Sequence, residues 1–174
     1  MKLSAHFDSN EFKCHCGNCG EPLIAPELIE GLEAWRAILN ANLTEGQKEH
    51  RLLITSGCRC AAWNKHEGGK ASSQHLYNPH TGLPGRAADV QCPTRPLGEV
   101  YQAALQVPGF QGIGLAPPAA PESSKGRQGH PDYVHVDVRA TLARVQWGYD
   151  EDGRTVALAQ VLPRIFPDVS GVEA

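Results

Sequence analysis

No stretch of this 174-residue sequence is long and apolar enough to cross a bilayer, and no membrane partner is expected. The N-terminus, Met1-Lys2-Leu3-Ser4-Ala5-His6-Phe7-Asp8, lacks the hydrophobic run of a secretory signal, so the chain as written is expected to be cytoplasmic when synthesised. Action elsewhere would need release or another export route. No run of Lys or Arg interleaves with aromatics, and the formal net charge is only −3, which argues against a nucleic-acid groove. There is no Gly-x-Ser-x-Gly elbow. Gly68-Gly69-Lys70-Ala71-Ser72-Ser73 lacks the earlier glycine of a phosphate-binding loop, so nucleotide chemistry is discounted. Neither an internal repeat nor a coiled-coil heptad is visible.

What is present suits one hydrophobic core, because 41% of the residues are hydrophobic over a length that falls short of two comfortable domains. We expect a single domain over 1–174, with its core at about 12–147, acting as a monomer. Leu28, Leu32, Trp35 and Leu39 recur at helical spacing from Pro26 to about Asn40, with Pro26 where a first turn tolerates it. A second helix is expected from Pro96 to about Val107, with Thr94 as its cap. Leu52–Thr55, Ala87–Val90, Gln111–Leu115 and Tyr133–Val138 read as strands, and Tyr77–Pro84 and Ala116–Pro131 as irregular loops. The pattern is that of a small α+β domain.

The chemistry-bearing residues gather in three segments: Ser73-Gln74-His75, Gly85-Arg86-Ala87-Ala88-Asp89-Val90 and Asp132-Tyr133-Val134-His135-Val136-Asp137-Val138. Two imidazoles and a carboxylate supply the three protein ligands of a catalytic zinc with an open fourth position. Such a site lowers the pKa of coordinated water to roughly 7 and polarises a carbonyl. His75, Asp89 and His135 are the candidate ligands. Asp137, on the same strand face as His135, competes with Asp89 or serves as an outer partner. Asp132 is the candidate base and must sit in the loop just before the strand, which Pro131 makes reasonable.

These segments resemble the D-Ala-D-Ala carboxypeptidase family of zinc metallopeptidases, which includes D,D-dipeptidases and L-alanyl-D-glutamate endolysins. The resemblance covers roughly Phe12 to Trp147. It is carried by Ser73, His75, Gly85, Ala87 and Asp89, then by Asp132 three positions before His135, and upstream by Ser56-Gly57-Cys58-Arg59 with Asn64. It implies a hedgehog-like zinc fold with a small antiparallel sheet and helices on one side, one catalytic Zn²⁺, and a peptidoglycan peptide as substrate. It also implies that Arg59 binds a substrate carbonyl or carboxylate and that His130 stabilises the transition state. Cys58 stands where the family carries an aromatic. Asp89 lies 14 positions after His75 (89 − 75), about twice the family spacing, so Tyr77–Pro84 reads as an insertion that could bring His80 near the metal. The bond cut, and whether the domain has kept turnover or only a metal-held binding or structural role, stay open at this level.

Six cysteines complete the inventory. Cys14, Cys16 and Cys19 with Cys58 or Cys60 are compatible with a second, structural zinc, with disulfides or with free thiols. Cys92 reads as a packing residue, and His6, His15, His50 and His66 as exposed or packing side chains.

Overall fold

The computed structural model describes residues 1–118 and 132–167. In chain order it contains α1 (Pro26–Asn40), β1 (Leu53–Ser56), α2 (Ala61–His66), β2 (Ala87–Gln91), α3 (Leu97–Leu105), β3 (Gly112–Ala116), β4 (Tyr133–Asp137), β5 (Val145–Tyr149), β6 (Thr155–Val156) and the short α4 (Leu162–Ile165). The strands form one six-stranded sheet in the order β1-β2-β4-β3-β5-β6. The α+β expectation holds. Every pairing is antiparallel except β3 with β5, which run side by side in parallel.

α1 forms where the apolar spacing placed it, and its Leu28, Leu32, Trp35 and Leu39 are buried. The Trp35 indole N–H donates to the Val100 carbonyl at 3.0 Å, and its ring meets Phe110 edge-on at 5.7 Å. That bond satisfies the one polar atom of a large buried side chain while tying α1 to α3. α3 is shorter than expected, and Thr94 is not its cap. Pro96 holds the N-cap position without a side-chain bond, while the Thr94 hydroxyl pairs with His50 Nδ1 at 2.8 Å.

The sheet divides by residue parity. On one face Ala88, Val90, Ile113, Leu115, Val134 and Val136 are fully buried in the core with α1 and α3. Each such aliphatic side chain larger than alanine contributes about 1.5–3 kcal/mol of burial. On the other face lie Asp89, His135 and Asp137, with Asp89 directly opposite His135 and His135 directly opposite Gly114. A one-residue slip of β4 would drive His135 and Asp137 into the core, so the burial that fixes the register also fixes the polar face.

Two irregularities finish the frame. Between Ile54 and Ser56, β1 carries a bulge that sets Ser56 opposite Asp89, a device that re-aims the chain at a strand end. The Tyr77–Pro84 insertion closes on itself: Asn78 and Leu83 exchange backbone bonds of 2.8 and 3.0 Å, and at its base the Arg86 N–H donates to Gln74 O at 2.8 Å. The extra length is thereby looped out, and His75 and Asp89 are returned to one neighbourhood. The second expected loop begins later than Ala116, which ends β3, and its remainder over 119–131, His130 included, lies outside the described residues. No helix among the described residues is long and apolar enough to cross a membrane.

Candidate metal centre

Asp89 enters the site from β2, His135 from the facing position on β4, and His75 from the turn before the insertion. The His75 backbone is anchored by the Arg59 N–H, which donates to its carbonyl at 2.8 Å. The three side chains converge. Asp89 Oδ1 lies 2.8 Å from His135 Nδ1 and 3.3 Å from His75 Nε2, and the two nitrogens are 3.2 Å apart. A point about 1 Å above such a triangle is about 2.1 Å from all three corners, which is the bond length zinc makes to imidazole nitrogen and carboxylate oxygen. The donor set therefore fits Zn²⁺, and all three residues are buried.

The far side of each ring is also held. His75 Nδ1 donates to the Gly57 carbonyl at 2.7 Å, which leaves the Nε2 lone pair facing the cluster. His135 Nε2 meets Asp137 Oδ2 at 3.1 Å, which directs Nδ1 inward. Asp137 is fully buried and grips Arg139 through both carboxylate oxygens, at 2.7 and 2.6 Å. This is the outer support that metal-binding imidazoles require. Asp137 addresses the nitrogen of His135 that points away from His75 and Asp89, outside the three-residue cluster.

The electrostatics follow from burial and pairing. Burial pushes His75 down from its ordinary value. Burial alone would raise the Asp89 carboxyl, but His75 and His135 hold it well below the usual range. His135 is pushed down by burial and then raised past its ordinary value by Asp137 and Asp89. Metal binding there would displace a proton from between two carboxylates.

Arg59 reaches the cluster itself. Its Nη2 donates to Asp89 Oδ2 at 2.7 Å, and its Nε donates to the Ser56 hydroxyl at 2.9 Å. Asp132 immediately precedes β4, half-buried, and its backbone carbonyl accepts from Gln91 Nε2 at 2.9 Å. Its carboxylate is not a member of the three-residue cluster. His80, exposed on the insertion, is not one either, and its backbone N–H is engaged by the Asn78 side chain.

The sequence reading missed an aromatic wall. The Trp147 ring lies 5.2 Å from His135, with the Arg139 guanidinium 5.1 Å from its centre, and Tyr149 follows on the same strand. Gly114 makes the space: a Cβ there would fall 2.6 Å from Trp147 Nε1. The alternation Trp147-x-Tyr149 was the available signal.

The family model of Peptidase M15 matches residues 5–137, which include His75, Asp89, Asp132 and His135. The chain belongs to the Peptidase M15 family. M15 peptidases depend on zinc, and this M15 peptidase brings together a ligand set that suits it. No curated protein matches the chain.

Proposed function

We propose that this M15 peptidase hydrolyses an amide bond in the stem peptides or cross-links of peptidoglycan, with His75, Asp89 and His135 as its zinc ligands. The observation that carries the reading is the triangle of ligand atoms, 2.8 to 3.3 Å on a side, with both rings pinned from behind. The choice of peptidoglycan rests on the motif running from Ser73 through Asp89 to His135. A zinc ion held there supplies Lewis acidity, activating water for attack on an amide carbonyl and polarising that carbonyl.

The remaining work falls to side chains of this chain. Asp132 takes the proton from the attacking water and passes it to the leaving amine, the two halves of general acid–base catalysis. It lies three positions before His135, in the residue that leads into β4. Arg59 has five N–H donors, of which one goes to Asp89 and one to Ser56; the others meet a substrate carbonyl or carboxylate. Trp147 and Tyr149 wall the site and exclude water beside His135. His130, outside the described residues, adds a donor to the developing oxyanion. The protein acts as a monomer and meets the cell wall after release or export.

The test is release of new amino groups from purified bacterial cell walls, followed by mass spectrometry of the soluble muropeptides to identify the bond cut. Wild-type protein is expected to release them, to stop on chelation and to resume when zinc is restored. An Asp132→Ala protein that folds, binds zinc and digests walls at the wild-type rate would remove the proposed base. A wild-type protein that binds zinc and releases nothing would leave a domain whose metal serves folding or binding.

A further inference from the structure

We infer that Cys14, Cys16, Cys19 and Cys60 form a second, closed zinc site, remote in chemistry from the first, which braces the segment that carries Arg59. Their four sulfurs lie within 4.8 Å of one another. In a tetrahedral thiolate site with bonds of about 2.3 Å, neighbouring sulfurs are about 3.8 Å apart, so the observed cluster needs little adjustment. A disulfide would account for two sulfurs at about 2.05 Å and would leave the convergence of the other two without a cause. The Cys16 and Cys19 sulfurs stand 3.3 Å apart.

The surroundings are those of bound thiolates. The backbone N–H of Asn18 donates to the Cys16 sulfur, that of Cys60 to Cys14, and that of Trp63 to Cys60, each at 3.4 Å. Three of the four sulfurs thus have a backbone N–H directed at them, the kind of outer support that a bound metal's ligands need. Gly17, at φ +73°, supplies the left-handed step inside Cys16-Gly17-Asn18-Cys19 that lets both sulfurs face the same point. Cys58 is excluded: it is 2% exposed and its thiol donates to the Leu23 carbonyl at 3.4 Å. His15, between two of the cysteines, is exposed and stands beside Trp63. Four soft ligands with no open position favour zinc in a structural role over a hard cation or a reacting centre.

The position of Cys60 gives the site its consequence. Arg59 is its neighbour in sequence, the Tyr77 N–H donates to the Arg59 carbonyl at 3.2 Å, and the Cys58 N–H donates to Phe12 O at 2.9 Å. Closing the four sulfurs on one ion therefore clamps the N-terminal segment, the start of α2 and the base of the insertion around the backbone of Arg59. Arg59 is held against Asp89 partly from this side. That bearing on catalysis rests on the proposed function; the metal site does not.

The experiment uses the full chain carrying His135→Ala, purified without oxygen, so that the thiolate site is read alone. About one equivalent of zinc is expected to remain, resistant to mild chelation and released when a mercurial titrates the thiols. Cobalt in its place should give an intense thiolate-to-metal charge-transfer band in the near ultraviolet. Adding Cys60→Ser should abolish or strongly shift that band, whereas adding Cys58→Ser should leave it intact. The wild-type protein, read in parallel, should show the same band, which guards against a variant that fails to fold. Absence of the band in folded wild-type protein loaded with cobalt, or an intact mass showing these four cysteines joined as disulfides with no bound metal, would overturn the proposal. Neither result would bear on zinc at His75, Asp89 and His135.

Discussion

Asp89 and His135 face each other across two paired strands whose opposite faces are sealed in the core, whereas Cys14, Cys16, Cys19 and Cys60 come from a loop and a helix start with little packing beneath them. In the first region the aliphatic face of β2, β3 and β4 sets the register, and the ligands arrive in place as a by-product of hydrophobic burial. In the second, the small satellite cluster of Cys14, Cys58 and Tyr77 is too slight to fix four sulfurs by packing alone. The sheet site is thus preorganised by the fold, and the cysteine site contributes to the fold through its metal. This contrast fits the division between catalytic and structural zinc.

The largest effect that would break the comparison falls on the sheet site. His135→Ala is expected to lower hydrolysis by about 10⁴-fold or more, since it removes several kcal/mol of metal-based stabilisation. Thermal melting should confirm that the fold survives. Asp132→Ala should cost about 10²- to 10⁴-fold in kcat, with the zinc content of the protein unchanged. Asp137→Asn keeps the side-chain volume but weakens the support behind His135, and should reduce zinc affinity by about 10- to 100-fold in competition titrations. The smallest effect on chemistry is expected from the other region. Cys60→Ser should lower the melting temperature by about 5 °C or more, about 2 kcal/mol, while hydrolysis falls only a few-fold through a looser Arg59. If Cys60→Ser instead abolished zinc binding at His135, the two regions would be one site.

The sequence made the parts with strong periodicity legible. α1 lies where Pro26 and the Leu28, Leu32, Trp35, Leu39 stripe put it, and β2 and β4 begin where expected and end within one residue of their expected bounds. β5 escaped although Val145, Trp147 and Tyr149 alternate, because the run is short, opens on two exposed residues and carries Gly148, the one buried position, where an apolar side chain would be expected. α2 is only six residues long and is capped by a cysteine sulfur, a signal that composition does not carry. Within the site, the motif named the three residues that converge, His75, Asp89 and His135, but not their partners. Arg59 finds Asp89 across 30 positions, and His75 finds the Gly57 carbonyl across 18, through a bulge and a closed insertion that no local pattern encodes. Thr94 shows the opposite failure: a good cap residue was drawn off by a tertiary partner, His50.

Diffraction from crystals of the zinc-loaded protein, recorded on both sides of the zinc absorption edge, addresses the central assignment most directly. An anomalous peak is expected at about 2.0–2.2 Å from His75 Nε2, Asp89 Oδ1 and His135 Nδ1, with Asp137 outside bonding distance. A peak bonded to Asp137 in place of Asp89, or no peak within reach of those three atoms, would contradict it.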